Sequence, residues 1–223
     1  KLKENYDGYH FETGTPGIYN PFSLLNTLDS MKFGDYWFET GTPSFLVYLL
    51  KQADYNLNNL QDEMVSADIL NSVDSMSKNP IPVIYQSGYL TIKDYDERFR
   101  IYKLGFPNKE VENGFVKYLL PMYTPIEENK SEFYIANFVS DIERGNPDGF
   151  MERLQSLFAD SDYKITGKME KYFQNSMYLI FKMMGFFSEV ERTTSRGRMD
   201  IGMKTKDYSY VMELKRDGTA DEA

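Results

Sequence analysis

Two runs near the C-terminal end, Arg198–Lys204 and Tyr208–Lys215, alternate in character on either side of Lys206-Asp207. Successive strand side chains point to opposite faces, so such runs read as the two arms of a hairpin. If the chain turns at Lys206-Asp207, paired positions sum to a constant. Thr205 then faces Tyr208, Met203 faces Tyr210, Ile201 faces Met212, and Asp200 faces Glu213. One face gathers Ile201, Met203, Tyr210, Met212 and Leu214 and is apolar. The other gathers Asp200, Gly202, Ser209, Val211, Glu213 and Lys215. A register shifted by one residue would send Asp200 to the opposite face from Glu213. Lys-Asp is not a favoured two-residue turn, so that alternative stays open here.

Directly opposed residues on one face have Cβ atoms about 4.5–5.5 Å apart. Two carboxylates that close repel each other, and a divalent cation between them reverses the sign. Asp200 and Glu213 thus make a compact oxygen site for Mg²⁺ or Mn²⁺, and the Val211 and Leu214 carbonyls are further candidate ligands. Lys215 follows Glu213 by two residues, on the same face, where an ammonium can orient a water or hold developing phosphate charge. Gly202 leaves room there for a substrate backbone. A surface hairpin in which Lys204 and Lys215 simply neutralise the two acids fits the same spacing.

The 223 residues hold no cysteine and one histidine, His10. That excludes a Cys/His zinc site, argues against Ser-His or Cys-His nucleophile systems, and leaves oxygen ligands for any metal. Absence of disulfides suits the cytoplasm. No apolar run reaches the roughly 18 residues of a membrane span, so no membrane partner is expected. A net charge of −9 runs against a nucleic-acid partner, but the charge is uneven. Lys164, Lys168, Lys171, Lys182, Arg192, Arg196, Arg198, Lys204 and Lys206 outnumber the acids between 164 and 206. A mixed solvated surface would look similar. With 41 % hydrophobic and 16 % aromatic residues, the chain can bury one large core or two modest ones.

Residues 1–20 read as extended and turn structure. Asn20-Pro21 gives an N-cap and a first-turn proline, and Phe22, Leu24, Leu25 and Leu28 form an expected apolar face. Thr42-Pro43 repeats the signal before a helix carrying Phe45 to Leu50. Phe-Glu-Thr-Gly-Thr-Pro occurs at 11–16 and again at 38–43, with unlike flanks, and reads as a reused turn. A helix is expected over 61–77, ended by Pro80-Ile81-Pro82. Tyr89–Ile92 and Phe99–Leu104 read as a hairpin, followed by a helix from Lys109 to Met122. Helix, hairpin, helix outlines a winged-helix-like unit. Helices are expected over 131–144 and 147–159, broken at Gly145-Asn146-Pro147, and over Lys168–Met184. In the last, Met169, Tyr172, Phe173, Met177, Ile180, Phe181 and Met184 form a core stripe, and Gly185 ends it. Phe186–Arg192 is the first of three strands.

Asp200, then Glu213-Leu214-Lys215 on the next strand, resembles the PD-(D/E)XK nuclease signature, with Met199 where the motif's proline stands. An amphipathic helix and three strands around it match the αβββαβ order of that superfamily. Three longer strings resemble the bacterial AAA-ATPase-like proteins that end in such a nuclease domain. They are Tyr19–Leu25; Tyr36-Trp37-Phe38 with Thr40–Leu46; and Tyr89–Ile92 with Leu104–Asn108. The resemblance implies an α+β chain in two parts. Residues 1–130 would be the C-terminal part of the ATPase-like region, helical and winged-helix-like. Residues 131–223 would be a partial restriction-endonuclease-like αβββ core.

The same resemblance implies a nuclease acting on nucleic acid, most simply DNA, with ATP bound only by a region preceding Lys1, since no P-loop motif is present. It also implies a metal-site glutamate on the first core helix, for which Glu170 is the candidate. Arg196 and Arg198 are candidate phosphate contacts. The chain opens without methionine and stops where a helix is starting, so it reads as a fragment. The competing expectation is a non-catalytic module, binding nucleic acid or protein, with a nuclease-like fold. Oligomeric state is open.

Overall fold

The computed structural model describes residues 1–38, 44–70, 72, 79–159, 169–185, 189–192 and 199–214. The chain opens with a helix that the sequence reading does not anticipate, α1 (Leu2–Tyr6). Its reason lies far away in the chain. The Tyr6 ring is buried, stacks on Phe33, and exchanges hydrogen bonds with the Gly34 amide and carbonyl at 3.1 Å. Residues 9 and 18 then pair as a short antiparallel bridge, with the first Phe-Glu-Thr-Gly-Thr-Pro copy at its tip.

Helix α2 (Pro21–Ser30) starts where its cap requires. The Asn20 side-chain oxygen accepts from the Phe22 and Ser23 amides at 3.0 and 3.4 Å. Its orientation corrects the sequence expectation: Ser23 and Thr27 face inward, while Phe22, Leu25 and Leu28 face solvent. The cause is Glu110, a carboxylate only 1 % exposed, which accepts from the Ser23 hydroxyl at 2.8 Å and the Trp37 amide at 3.0 Å. A buried carboxylate needs donors, and a serine supplies what a leucine would not.

The next unit runs α3 (Ser44–Gln52), β1 (Glu63–Ser66), α4 (Ala67–Leu70), α5 (Ile81–Gln86), β2 (Thr91–Asp96) and β3 (Ile101–Gly105). The expected β2–β3 hairpin is present, and its sheet has the order β1-β3-β2. Where a helix is expected from 61, the described residues to Leu70 hold instead the end of a 3₁₀ turn, Leu57–Gln61, then β1 and the short α4. Pairing of Glu63–Ser66 with β3 satisfies that backbone across the sheet and buries Val65, a long-range gain that local propensity cannot register. The prolines begin a helix rather than end one. Pro80 is the N-cap of α5, Pro82 lies in its first turn, and the Asn79 side chain accepts from the Ile81 amide at 3.0 Å. Residues 39–43, 71 and 73–78 lie outside the described residues, and with them the Thr42-Pro43 signal.

Helices α6 (Lys109–Tyr123), α7 (Ser131–Glu143) and α8 (Pro147–Ala159) fall where their caps and breakers put them. Asn108 caps α6 through the Val111 amide at 3.1 Å. Gly145 makes the α7–α8 break at φ 72°. Helix α9 (Met169–Gly185) carries the expected stripe, yet it is buried on more than one side. Asn175, Ser176, Tyr178, Leu179 and Met183 are enclosed together with Met177, Ile180, Phe181 and Met184. Three antiparallel strands follow: β4 (Glu189–Arg192), β5 (Met199–Lys204) and β6 (Ser209–Leu214), with β5 central.

The fold is therefore mixed α and β, with an αβββ order at its C-terminal end. Among the described residues, one hydrophobic cluster runs from Leu46 through Phe115, Phe138 and Phe181 to Met203. Among the described residues no helix is long and apolar enough to cross a membrane.

Candidate functional site

The β5–β6 register matches the sequence arithmetic. Asp200 pairs with Glu213, Ile201 with Met212, Gly202 with Val211 and Met203 with Tyr210. The turn closes with the Thr205 amide donating to the Tyr208 carbonyl at 2.8 Å, and the Thr205 hydroxyl accepts from the Tyr208 amide at 3.0 Å. The side-chain clasp stabilises a Lys-Asp turn that backbone preference alone would not choose. The two acidic positions stand directly opposite each other, and the slipped register is excluded.

Burial separates the two faces. Met203 is 2 % exposed, and Tyr210 and Met212 pack half-buried against the core. On the other face Val211 is 83 % exposed, and Lys204 and Ser209 are open to solvent. By strand alternation positions 200 and 213 belong to this open face. Two acidic positions in register on an open sheet face can share a cation and admit a phosphate. Among the described residues no three His, Asp or Glu side chains converge as a ready metal cluster.

Tyrosines hold the hairpin in place. The Tyr210 hydroxyl donates to the Ile142 carbonyl at the end of α7 at 2.7 Å. The Tyr208 ring lies over Gly145, where an added Cβ would come within 2.5 Å of it. The α7–α8 corner thus fixes where the sheet sits, and sequence reading had assigned neither tyrosine such a part. It also left unplaced the acidic position 191, which β4 sets opposite Gly202 on the open face. Without the β4 register, alternation could not assign it a side.

Helix α9 is anchored on its other flank by polar contacts. The Asn175 side chain accepts from the Leu57 amide and donates to the Tyr55 carbonyl, both at 2.9 Å. Lys171 donates to the Asp54 carbonyl at 2.6 Å and carboxylate at 3.2 Å, and Lys182 pairs with Glu112. Glu170 lies in the first turn of this helix. Lys215, Arg196 and Arg198 lie outside the described residues. Next to this flank, Tyr55 donates a short hydrogen bond to the half-buried Glu63. Burial holds the Glu63 carboxyl above the ordinary carboxylate range, with the tyrosine bond partly opposing it.

Residues 168–223 match the family model of the PD-(D/E)XK nuclease superfamily. That segment contains α9, all three strands, and the opposed Asp200 and Glu213. Over 96 % of its length the chain is also similar, at 29 % identity over 229 residues, to a curated protein of Azotobacter chroococcum mcd 1 described as "Uncharacterized protein in vnfD 5'region". The chain spans 42 % of that relative's length. No solved structure matches.

Proposed function

We propose that the C-terminal region is a metal-dependent nuclease that hydrolyses phosphodiesters, with DNA as the substrate. The observation that carries this reading is the in-register pairing of Asp200 with Glu213 inside the segment that matches the nuclease superfamily. Asp200 and Glu213 would hold Mg²⁺ or Mn²⁺, and Glu170 would complete the set from α9. The cation would supply positive charge to the carboxylate pair and to the phosphate. Lys215 would orient the attacking water and hold charge developing on the phosphate oxygens. Arg196 and Arg198 would contact flanking phosphates, a role that costs affinity uniformly across sequences when removed. In this reading residues 131–223 are the nuclease part, and residues 1–130 are the C-terminal part of an ATPase-like region that gates cleavage.

The test is Mn²⁺-dependent cleavage of plasmid and linear DNA by the intact protein. Glu213→Ala and Lys215→Ala are each expected to lower the rate at least 100-fold, the scale seen when a charge-stabilising group is removed. Unchanged cleavage in either variant sinks the mechanism.

A second reading takes α3 to β3, with β1 against β3, as a winged-helix-like unit that binds a partner. Its α5 reads Ile-Pro-Val-Ile-Tyr-Gln, buries Ile81, Pro82 and Ile84, and carries no cation. DNA-reading helices present Arg, Lys, Asn or Gln side chains to a groove, whereas the one such residue of α5, Gln86, donates to the Leu70 carbonyl. The unit is therefore better suited to hold protein than DNA. No Mn²⁺ binding by calorimetry at millimolar metal would favour this non-catalytic reading over the first.

A further inference from the structure

Helix α2 is built inside out. Its polar Ser23 and Thr27 are buried, while Phe22, Leu25 and Leu28 look outward, and Met31 just beyond its end is 83 % exposed. The apolar surface continues past Pro21 into an open groove of about 380 Å³, whose lining includes Phe11, Ile18 and Trp37. Phe11 is 74 % exposed. Aromatic side chains each bury about 150–250 Å² when covered, and Ile, Leu and Met bury less. At their observed exposures Phe11, Ile18 and the four ridge residues offer on the order of 700 Å². A standard interface takes about 800 Å² from each partner, and patches this large on soluble proteins mark interaction sites.

We propose that this face is the twofold contact of a homodimer. The ridge Phe22, Leu25, Leu28, Met31 repeats every three residues, so a dyad between residues 26 and 27 maps it onto itself. Antiparallel pairing of two copies sets Leu25 against Leu28 and Phe22 against Met31. That is the self-complementarity an isologous interface requires. Charge permits it as well. The whole chain carries −9, yet α2 holds a single charged residue, Asp29, so the two faces meet with little repulsion. The buried face of α2 is already committed to Glu110, so the outward face can be covered without unpacking the fold.

Sedimentation equilibrium of the intact chain tests the contact, with Leu25→Asp as the disrupting variant. Leu25 is 65 % exposed, so the variant is expected to fold and to melt at the temperature that the wild type shows when diluted to monomer. The wild type is expected to be dimeric at roughly 50 µM, and Leu25→Asp to raise the dissociation constant at least 100-fold. The chain has no cysteine, so Asn26→Cys places one thiol beside the dyad and Lys206→Cys places one on the distant β5–β6 turn. A short bismaleimide should join two copies through the first and not the second. A wild type that stays monomeric, or a dimer indifferent to Leu25→Asp, overturns the proposal. A monomer whose face instead binds the additional polypeptide that the longer relative carries overturns it too, and gives the face to that partner.

Discussion

At the residue scale, buried acids show how far a side chain's role can lie from its neighbours in sequence. Glu110 begins an ordinary helix first turn, yet its carboxylate sets the roll of α2, 87 residues upstream. Glu63 offers a measurable consequence. Its folded-state affinity for a proton is raised by burial, so ionisation opposes folding. The penalty is absent below the ordinary glutamate value of 4.5, enters as pH rises through it, and is complete once pH exceeds the raised folded value. Glu63→Gln keeps an acceptor for Tyr55 and removes the charge. Urea titrations from pH 4 to pH 7 should show the variant gaining stability relative to wild type as pH rises. A constant difference across that range would refute the assignment. Gly145 offers another. Alanine there meets both a left-handed φ of 72° and the Tyr208 ring, so Gly145→Ala should cost about 1–2 kcal/mol in the same titrations. A cost near zero would show that Tyr208 is not anchored at that corner.

At the element scale, what the sequence made legible was what local chemistry determines. Asn20 caps α2, Gly145 breaks α7 from α8, and alternation about Lys206-Asp207 offers the β5–β6 register. Alternation offers Asp200 against Glu213 but leaves the one-residue slip open, and the Thr205–Tyr208 clasp decides between the two. What escaped was decided by partners distant in the chain. Strand β1 exists because β3 lies beside it, and α1 because Phe33 and Gly34 receive Tyr6. The doubled Phe-Glu-Thr-Gly-Thr-Pro makes the same point: Phe11 is exposed, whereas the Phe38 ring packs onto α6 at Gly114, where an added Cβ would come within 2.2 Å of it. The first residue of the repeated string serves two environments. Helix α9 gives the element-scale prediction. Asn175→Leu preserves volume but strands the Leu57 amide and Tyr55 carbonyl away from water. Each orphaned backbone group costs about 1–3 kcal/mol, so a loss of about 3 kcal/mol is expected by denaturant unfolding. A loss below 1 kcal/mol would mean that α9 is positioned by its apolar stripe alone.

At the scale of the whole molecule, the hydrophobic cluster runs across residue 130, where the family resemblance puts a boundary. Helix α6, N-terminal to that division, packs along α9, and Glu112 with Lys182 adds a half-buried ion pair across the same contact. Phe181 sits in that cluster, 1 % exposed, with its ring 6.1 Å from Phe150. Removing a ring of this kind costs about 3–5 kcal/mol through lost burial and the cavity left behind. If the cluster is one cooperative unit, Phe181→Ala should lower the melting temperature of a single transition. It should also speed amide exchange at Val65 and Leu104 in the β1-β3-β2 sheet as much as at Ile142. If exchange quickens at Ile142 alone, the two halves fold independently. The open face carrying Asp200 and Glu213 would then be steadied only by α7, α9 and the Tyr208–Tyr210 anchor. Equal quickening at both places means that any movement imposed on residues 1–130 is felt at α9. The αβββ region could then be gated from the N-terminal side without a hinge between them.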